Sequence, residues 1–69
     1  MSNRREIRDK LNRYIGWLDD SGDMVRAYHV RKGYLGWYSK SANKTYEKNG
    51  KIYCFGDGAS DLVREAERG

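Results

Sequence analysis

Hydrophobic and polar positions change their period partway along this chain. Ile7, Leu11, Tyr14 and Ile15 fall at i, i+4, i+7 and i+8, with Arg, Lys, Asp and Asn between them, the stripe of an amphipathic helix. Asn3 followed by Glu6 makes a capping-box-like start, so the spacing predicts a helix over about 3–13. Leu18 continues the stripe, and a helix extended that far would carry Gly16 at roughly 1 kcal/mol. Beyond it the period falls to two. Met24–Val30, Tyr34–Tyr38, Thr45–Tyr46 and Lys51–Phe55 read as strands, cut apart by Asp-Ser-Gly, Lys-Gly and Asn-Gly. Lys48-Asn49-Gly50 carries the strongest hairpin signal, with Asn-Gly suited to a two-residue type I′ turn. The returning strand, Lys51–Phe55, is nearly all apolar and is expected at the centre of the sheet.

A short phrase occurs twice: Tyr14-Ile15-Gly16-Trp17 returns as Tyr34-Leu35-Gly36-Trp37. This repeat argues for strand rather than helix over its first copy. After the last strand, Gly56-Asp57-Gly58 stops the chain, and Asp57 can cap a helix from Ala59 to about Glu67 whose apolar stripe is Ala59, Leu62, Val63 and Ala66. The expected fold is α+β: an N-terminal helix, an antiparallel sheet of four to five strands built from hairpins, and a short C-terminal helix lying on the sheet. Residues 1–69 form a single domain.

The segment from Gly33 to Gly58 resembles small, uncharacterised proteins of phages, prophages and plasmids. The residues that carry the likeness are Gly33-Tyr34-Leu35-Gly36-Trp37-Tyr38, Asn43-Lys44-Thr45-Tyr46, Asn49-Gly50 and Gly56-Asp57. These are turn and sheet formers, so the resemblance implies shape and a mobile-element origin, and no cofactor or catalytic residue.

Sixty-nine residues with 38% hydrophobic and 35% charged side chains leave a small core. The 13% aromatic content offsets this, since each Tyr or Trp can bury about 150–250 Å², and the rings are expected to make most of the interior. The net charge of +4 is unevenly placed. Arg4, Arg5, Arg8, Lys10 and Arg13 make the first segment basic, and Lys40, Lys44, Lys48 and Lys51 do the same for residues 33–55; Asp57, Asp61, Glu65 and Glu67 turn the tail acidic. A basic body with an acidic end suits nucleic acid, an acidic protein surface or a second copy of the chain. With one cysteine, no apolar run near the length of a membrane span and no signal-peptide pattern, the expectation is a cytoplasmic protein without a membrane partner.

Chemistry is sparse. His29, the only histidine, reads as a half-exposed strand residue, and a zinc site around it would need Asp19, Asp20 or Asp23 at unsuitable spacing. Cys54, between Tyr53 and Phe55, reads as a buried small hydrophobe. Gly56-Asp57-Gly58 lacks the Lys-Ser/Thr of a phosphate loop, and the Asp19–Asp23 turn lacks the distant Glu of a calcium loop. No metal or cofactor is expected. An enzyme reading, a small ribonuclease using His29 with a Tyr and an Arg, is the weakest of three. The strongest is a non-catalytic interaction protein, an inhibitor or modulator that occupies a host protein or complex. The alternative is a nucleic-acid-binding regulator. Both draw on the same candidates: Trp17, Tyr34, Trp37, Tyr38 and Tyr46 as ring contacts, with Lys44, Lys48, Lys51, Arg4, Arg5 and Arg8 as cations.

Overall fold

The computed structural model describes residues 3–68. Six strands run in chain order across one antiparallel sheet: β1 (Asn3–Arg8), β2 (Tyr14–Asp20), β3 (Met24–His29), β4 (Gly33–Ser39), β5 (Lys44–Glu47) and β6 (Ile52–Phe55). One helix, α1 (Ala59–Arg68), follows and packs against β2, β3 and β4 on one side of the sheet.

The expected N-terminal helix is absent, and with it the two-helix α+β arrangement. Residues 3–13 instead form the edge strand β1 and a loop that turns into β2. Asp9 organises that loop. Its Oδ1 accepts from the backbone N–H of Leu11 and of Arg13, both at 2.9 Å, and its Oδ2 accepts from Arg13 Nε at 2.7 Å. Asn12 takes the left-handed conformation at φ 63°, which Asn tolerates better than most side chains. An isolated helix of about eleven residues is marginal in water, whereas β1 adds a ladder to a sheet that already exists. Leu11, assigned to the helical stripe, sits 72% exposed at the loop tip. The Asn3–Glu6 pair is therefore no helix cap.

Three of the five hairpins, β1–β2, β3–β4 and β5–β6, share one construction. In each, the second strand carries an extra residue that the register skips. Ile15 lies between the pairs Ile7–Gly16 and Arg8–Tyr14, Leu35 between Ala27–Gly36 and Tyr28–Tyr34, and Tyr53 between Thr45–Cys54 and Tyr46–Ile52. These are β-bulges. The twice-written phrase thus has a third, degenerate copy, Ile52-Tyr53-Cys54-Phe55. Ile15 is buried in the core, and Leu35 and Tyr53 pack against it.

That core is small and aliphatic: Ile15, Leu18, Val25, Ala27, Ala59, Leu62 and Val63. The rings do not make the interior as expected. Gly16 and Gly36, third in their phrases, lie directly under α1, where an added Cβ would fall 2.6 Å from Val63 Cγ1 and 3.1 Å from Leu62 Cδ1 respectively. The helix therefore rests on bare backbone. Asp57 Oδ1 accepts from Ala59 N–H at 3.3 Å, the expected cap, and Ala59, Leu62 and Val63 are the buried stripe.

Two finer expectations also change. The Asn-Gly turn spans three residues, with Glu47 N–H bonded to Lys51 O and Gly50 N–H to Glu47 O; Gly50 at φ 93° takes the αL position of a three-residue hairpin loop. And β6, expected at the centre, is the outer edge, with Ile52 and Phe55 exposed.

Candidate interaction surface

Alternation along each strand sends most of the remaining large residues to the side away from α1, which no element covers among the described residues. Following the register across the sheet, they form three rows. One runs Glu6, Trp17, Tyr28, Tyr34, with Tyr14 stacked on Trp17. The central row runs Arg4, Asp19, Arg26, Trp37, Tyr46, Ile52, and the third runs Met24, Ser39, Lys44, Phe55.

The rings are committed to one another. Trp17 and Tyr28 stack at 5.1 Å with 8° between planes, and Trp37 and Tyr46 at 5.1 Å with 22°. Rings stacked at about one strand spacing stand across the sheet, with faces toward each other and edges toward solvent. Arg4 covers Trp17 at 4.8 Å and Lys44 lies 5.9 Å from the Phe55 centroid. Tyr34 is held above its ordinary value by burial, with Arg26 acting in the opposite sense.

Charge on this face is mostly unneutralised. Among the described residues Arg4, Arg26 and Lys44 have no carboxylate partner within 4 Å, and Arg26 reaches only Ser21 Oγ at 3.4 Å. Asp19 lies between Arg4 and Arg26 in the register, with one carboxylate oxygen shielded from solvent and no donor on it among the described residues. Arg8 is paired with Glu6 at the margin of this face, and elsewhere Lys40 is spent on Asp20 and Arg13 on Asp9.

Of the candidate residues, Trp17, Tyr34, Trp37, Tyr46, Lys44 and Arg4 are brought together here. Tyr38 is not: it packs on the core side and its hydroxyl donates to Asn43 Oδ1 at 2.9 Å. Arg5 pairs in register with core-facing Leu18, and Arg8 is turned to Glu6 and the Asn12 carbonyl. Lys48 and Lys51 flank the last hairpin turn, exposed and off the rows. Arg26 and Tyr28, part of the basic and aromatic set of the sequence, join the rows, whereas sequence reasoning left Ile52 and Phe55 out of the site. The signal for Phe55 was the third copy of the phrase, hidden because Cys54 stands where the others have Gly.

A shallow cleft of about 920 Å³ lies on the helix side, where α1 leaves β1 uncovered. Ile15 and Leu11 line it with Arg13, Arg64 and Arg68, whose guanidinium groups turn to Asp9, Asp61 and Glu65.

His29 is buried, 1% exposed, rather than half-exposed. Its Nδ1 accepts from the N–H groups of Arg31 and Lys32 at 3.1 and 3.3 Å, so the ring proton sits on Nε2 and is donated to Glu67 Oε1 at 2.9 Å. Nδ1 thus holds the turn that follows β3, and Nε2 ties the end of β3 to the last turn of α1. Cys54 is half-buried, beside Gly58. Among the described residues no three His, Cys, Asp or Glu side chains converge as metal ligands would, and no helix is long and apolar enough to cross a membrane.

The His29 bond holds the Glu67 carboxyl below its ordinary value of 4.5, with Arg31 adding to it. A depressed carboxylate stabilises the fold fully above the unfolded value and loses that contribution as pH falls through the lower, folded one. Glu67→Gln should therefore flatten the acid limb: the fall in Tm between about pH 6 and pH 3 becomes smaller than in the wild type. Equal falls would break the link between this contact and acid stability.

Compared with protein-family models, curated proteins and solved structures, the chain matches none.

Proposed function

We propose that this is a non-catalytic interaction protein whose uncovered sheet face docks on a protein partner, in the manner of an inhibitor or modulator that occupies a host macromolecule. One observation carries the reading: Trp17, Tyr28, Trp37 and Tyr46 form a ring surface with nothing over it among the described residues, on a domain whose core lies on the other side. Trp, Tyr and Arg are the residue types that dominate interface energetics. A flat, rigid, partly desolvated patch of them loses little entropy on docking.

The charge distribution favours an acidic partner surface with apolar residues. Ring edges are the positive part of an aromatic quadrupole, and Arg4, Arg26 and Lys44 add to them. The nucleic-acid alternative draws on the same cations, but single strands bind by laying bases on open π-faces, and here the faces are occupied by neighbouring rings and by Arg4.

The tryptophans lie on the proposed surface and serve as reporters. Wild-type protein is expected to retain one stoichiometric partner from nuclease-treated lysate. For that partner, Trp37→Ala should weaken binding at least about 30-fold, the ~2 kcal/mol of an interface hot spot. Arg26→Glu, which alters the charge of the face without touching the core, should weaken it too. An oligothymidine should leave the tryptophan emission unchanged at low salt. Salt-sensitive binding of that oligonucleotide, lost in the same variants, would replace this reading with the nucleic-acid one.

A further inference from the structure

The two edges of the sheet are unlike. β1 exposes Arg4, Arg5, Glu6 and Arg8, a charged edge of the kind that deters strand pairing. β6 carries no charge, and its Ile52 and Phe55 are 48% and 76% exposed. Its backbone is oriented outward at just these two residues. Glu47 N–H bonds to Lys51 O at 2.7 Å and Gly56 N–H to Asn43 O at 2.8 Å. Hydrogen-bonded and non-bonded pairs alternate in an antiparallel ladder, so Ile52 opposite Tyr46 and Phe55 opposite Lys44 turn their N–H and C=O groups away from β5. The bulge at Tyr53 lets residues three apart share this orientation. Inside the sheet, the fourth residue of each phrase is capped by a ring on the next hairpin, Trp17 by Tyr28 and Trp37 by Tyr46. Phe55 holds the same position in the third copy with no strand beyond it among the described residues.

We propose that two copies of this chain join edge to edge through β6, antiparallel about a two-fold axis, with Ile52 of each opposite Phe55 of the other. The strand is self-complementary in this register. Both copies carry the bulge between the paired positions, so the spans from Ile52 to Phe55 match in length. Each Ile52–Phe55 pair exchanges two backbone hydrogen bonds and covers two exposed apolar side chains. Charge selects the direction. Lys48 and Lys51 precede the strand, while Asp57 and Asp61 follow it; antiparallel pairing sets the basic end of one copy against the acidic end of the other. Stacking two ring faces together would instead bring Arg4, Arg26 and Lys44 against their own copies. Joining β6 to the β1 edge of another copy would be head-to-tail and need not close. The result is one continuous sheet with two ring surfaces side by side, a bivalent face that multiplies affinity for a repeated partner. This inference does not depend on what the ring surface binds.

Sedimentation equilibrium tests it. The contact is small by interface standards, under ~1,200 Å², so a dissociation constant on the order of 10–100 µM is expected. The mass should rise from 8.1 kDa toward twice that value as the protein is concentrated from about 5 µM to about 1 mM. Ile52→Asp and Phe55→Lys, exposed-site changes whose folding circular dichroism can verify, should each remain monomeric throughout. Mixed in equal amounts, the two variants should dimerise, because the new carboxylate and ammonium groups meet across the axis only in this register. Arg5→Ser, on the other edge, should behave as wild type. A monomer at the highest concentration overturns the proposal. So does dimerisation that survives either single variant, or a mixture that stays monomeric.

Discussion

Gly16→Ala and Gly36→Ala should each remove about 3 kcal/mol or more of the protein's stability at 25 °C. At both positions a methyl group meets backbone as well as helix. The added carbon of Gly16 would run into the Tyr28 carbonyl oxygen and approach Val63 Cγ1 to 2.6 Å. That of Gly36 would meet the Tyr46 carbonyl oxygen, with Glu47 Cα and Leu62 Cδ1 both at 3.1 Å. A side-chain tip can rotate aside; a carbonyl in a ladder cannot without breaking its hydrogen bonds. Overpacking a core costs about 1–3 kcal/mol and sometimes more, and these sites lie at the upper end because sheet and helix must separate together. A domain of this size has about 3–10 kcal/mol in all. Urea titration followed by tryptophan emission measures the loss. Gly22→Ala is the internal comparison: its φ of 98° strains an alanine, but nothing lies within 4 Å of the added carbon, so its cost should be about 1 kcal/mol. If Gly16→Ala cost no more than Gly22→Ala, α1 does not sit on the sheet as described.

The next largest effect is expected from Thr45→Val, a change of almost no volume. Thr45 is fully buried. Its hydroxyl donates to Gly56 O and accepts from Gly58 N–H, both at 2.7 Å. One side chain thus satisfies two backbone groups at the turn where β6 gives way to α1. Valine keeps the shape and strands both groups, at roughly 1–3 kcal/mol each. Thr45→Ser retains the hydroxyl and should lose about 1 kcal/mol, the scale of one buried methyl. The damage should also be local: Leu62 N–H, bonded to Gly58 O at 3.0 Å, should exchange with solvent faster in Thr45→Val than in Thr45→Ser. Equal stability of the two variants would remove the hydroxyl from this account.

Much of the outline was legible in the residues. The glycine-bearing turns separate the strands where they should, and the C-terminal helix begins two residues after its capping Asp57 with the expected buried stripe. The opening was misread for a specific reason. Ile7, Leu11 and Ile15 keep helical spacing by coincidence of a hairpin, with Ile7 in β1, Leu11 at the exposed loop tip and Ile15 in β2. Asp9 and Asn12 settle the matter through an Asx-type loop whose bonds run to Leu11 and Arg13, and polar loop residues look much like the polar face of a helix. For the surface, the repeated phrase pointed Trp17 to a strand and alternation did so for Trp37 and Tyr46, but neither gave a side. That depends on where α1 docks, and α1 docks where two glycines leave room.

Local composition set the turns, the hairpin units and the C-terminal helix, because each rests on interactions among near neighbours: a capping carboxylate, a positive φ, an alternation along one strand. Which face became the core, which strand became the edge and where His29 ended up depended on the assembled sheet. Those outcomes arise from contacts between residues far apart in the chain, Gly16 with Val63, Gly36 with Leu62 and His29 with Glu67. Their energies exist only once the hairpins and the helix have come together.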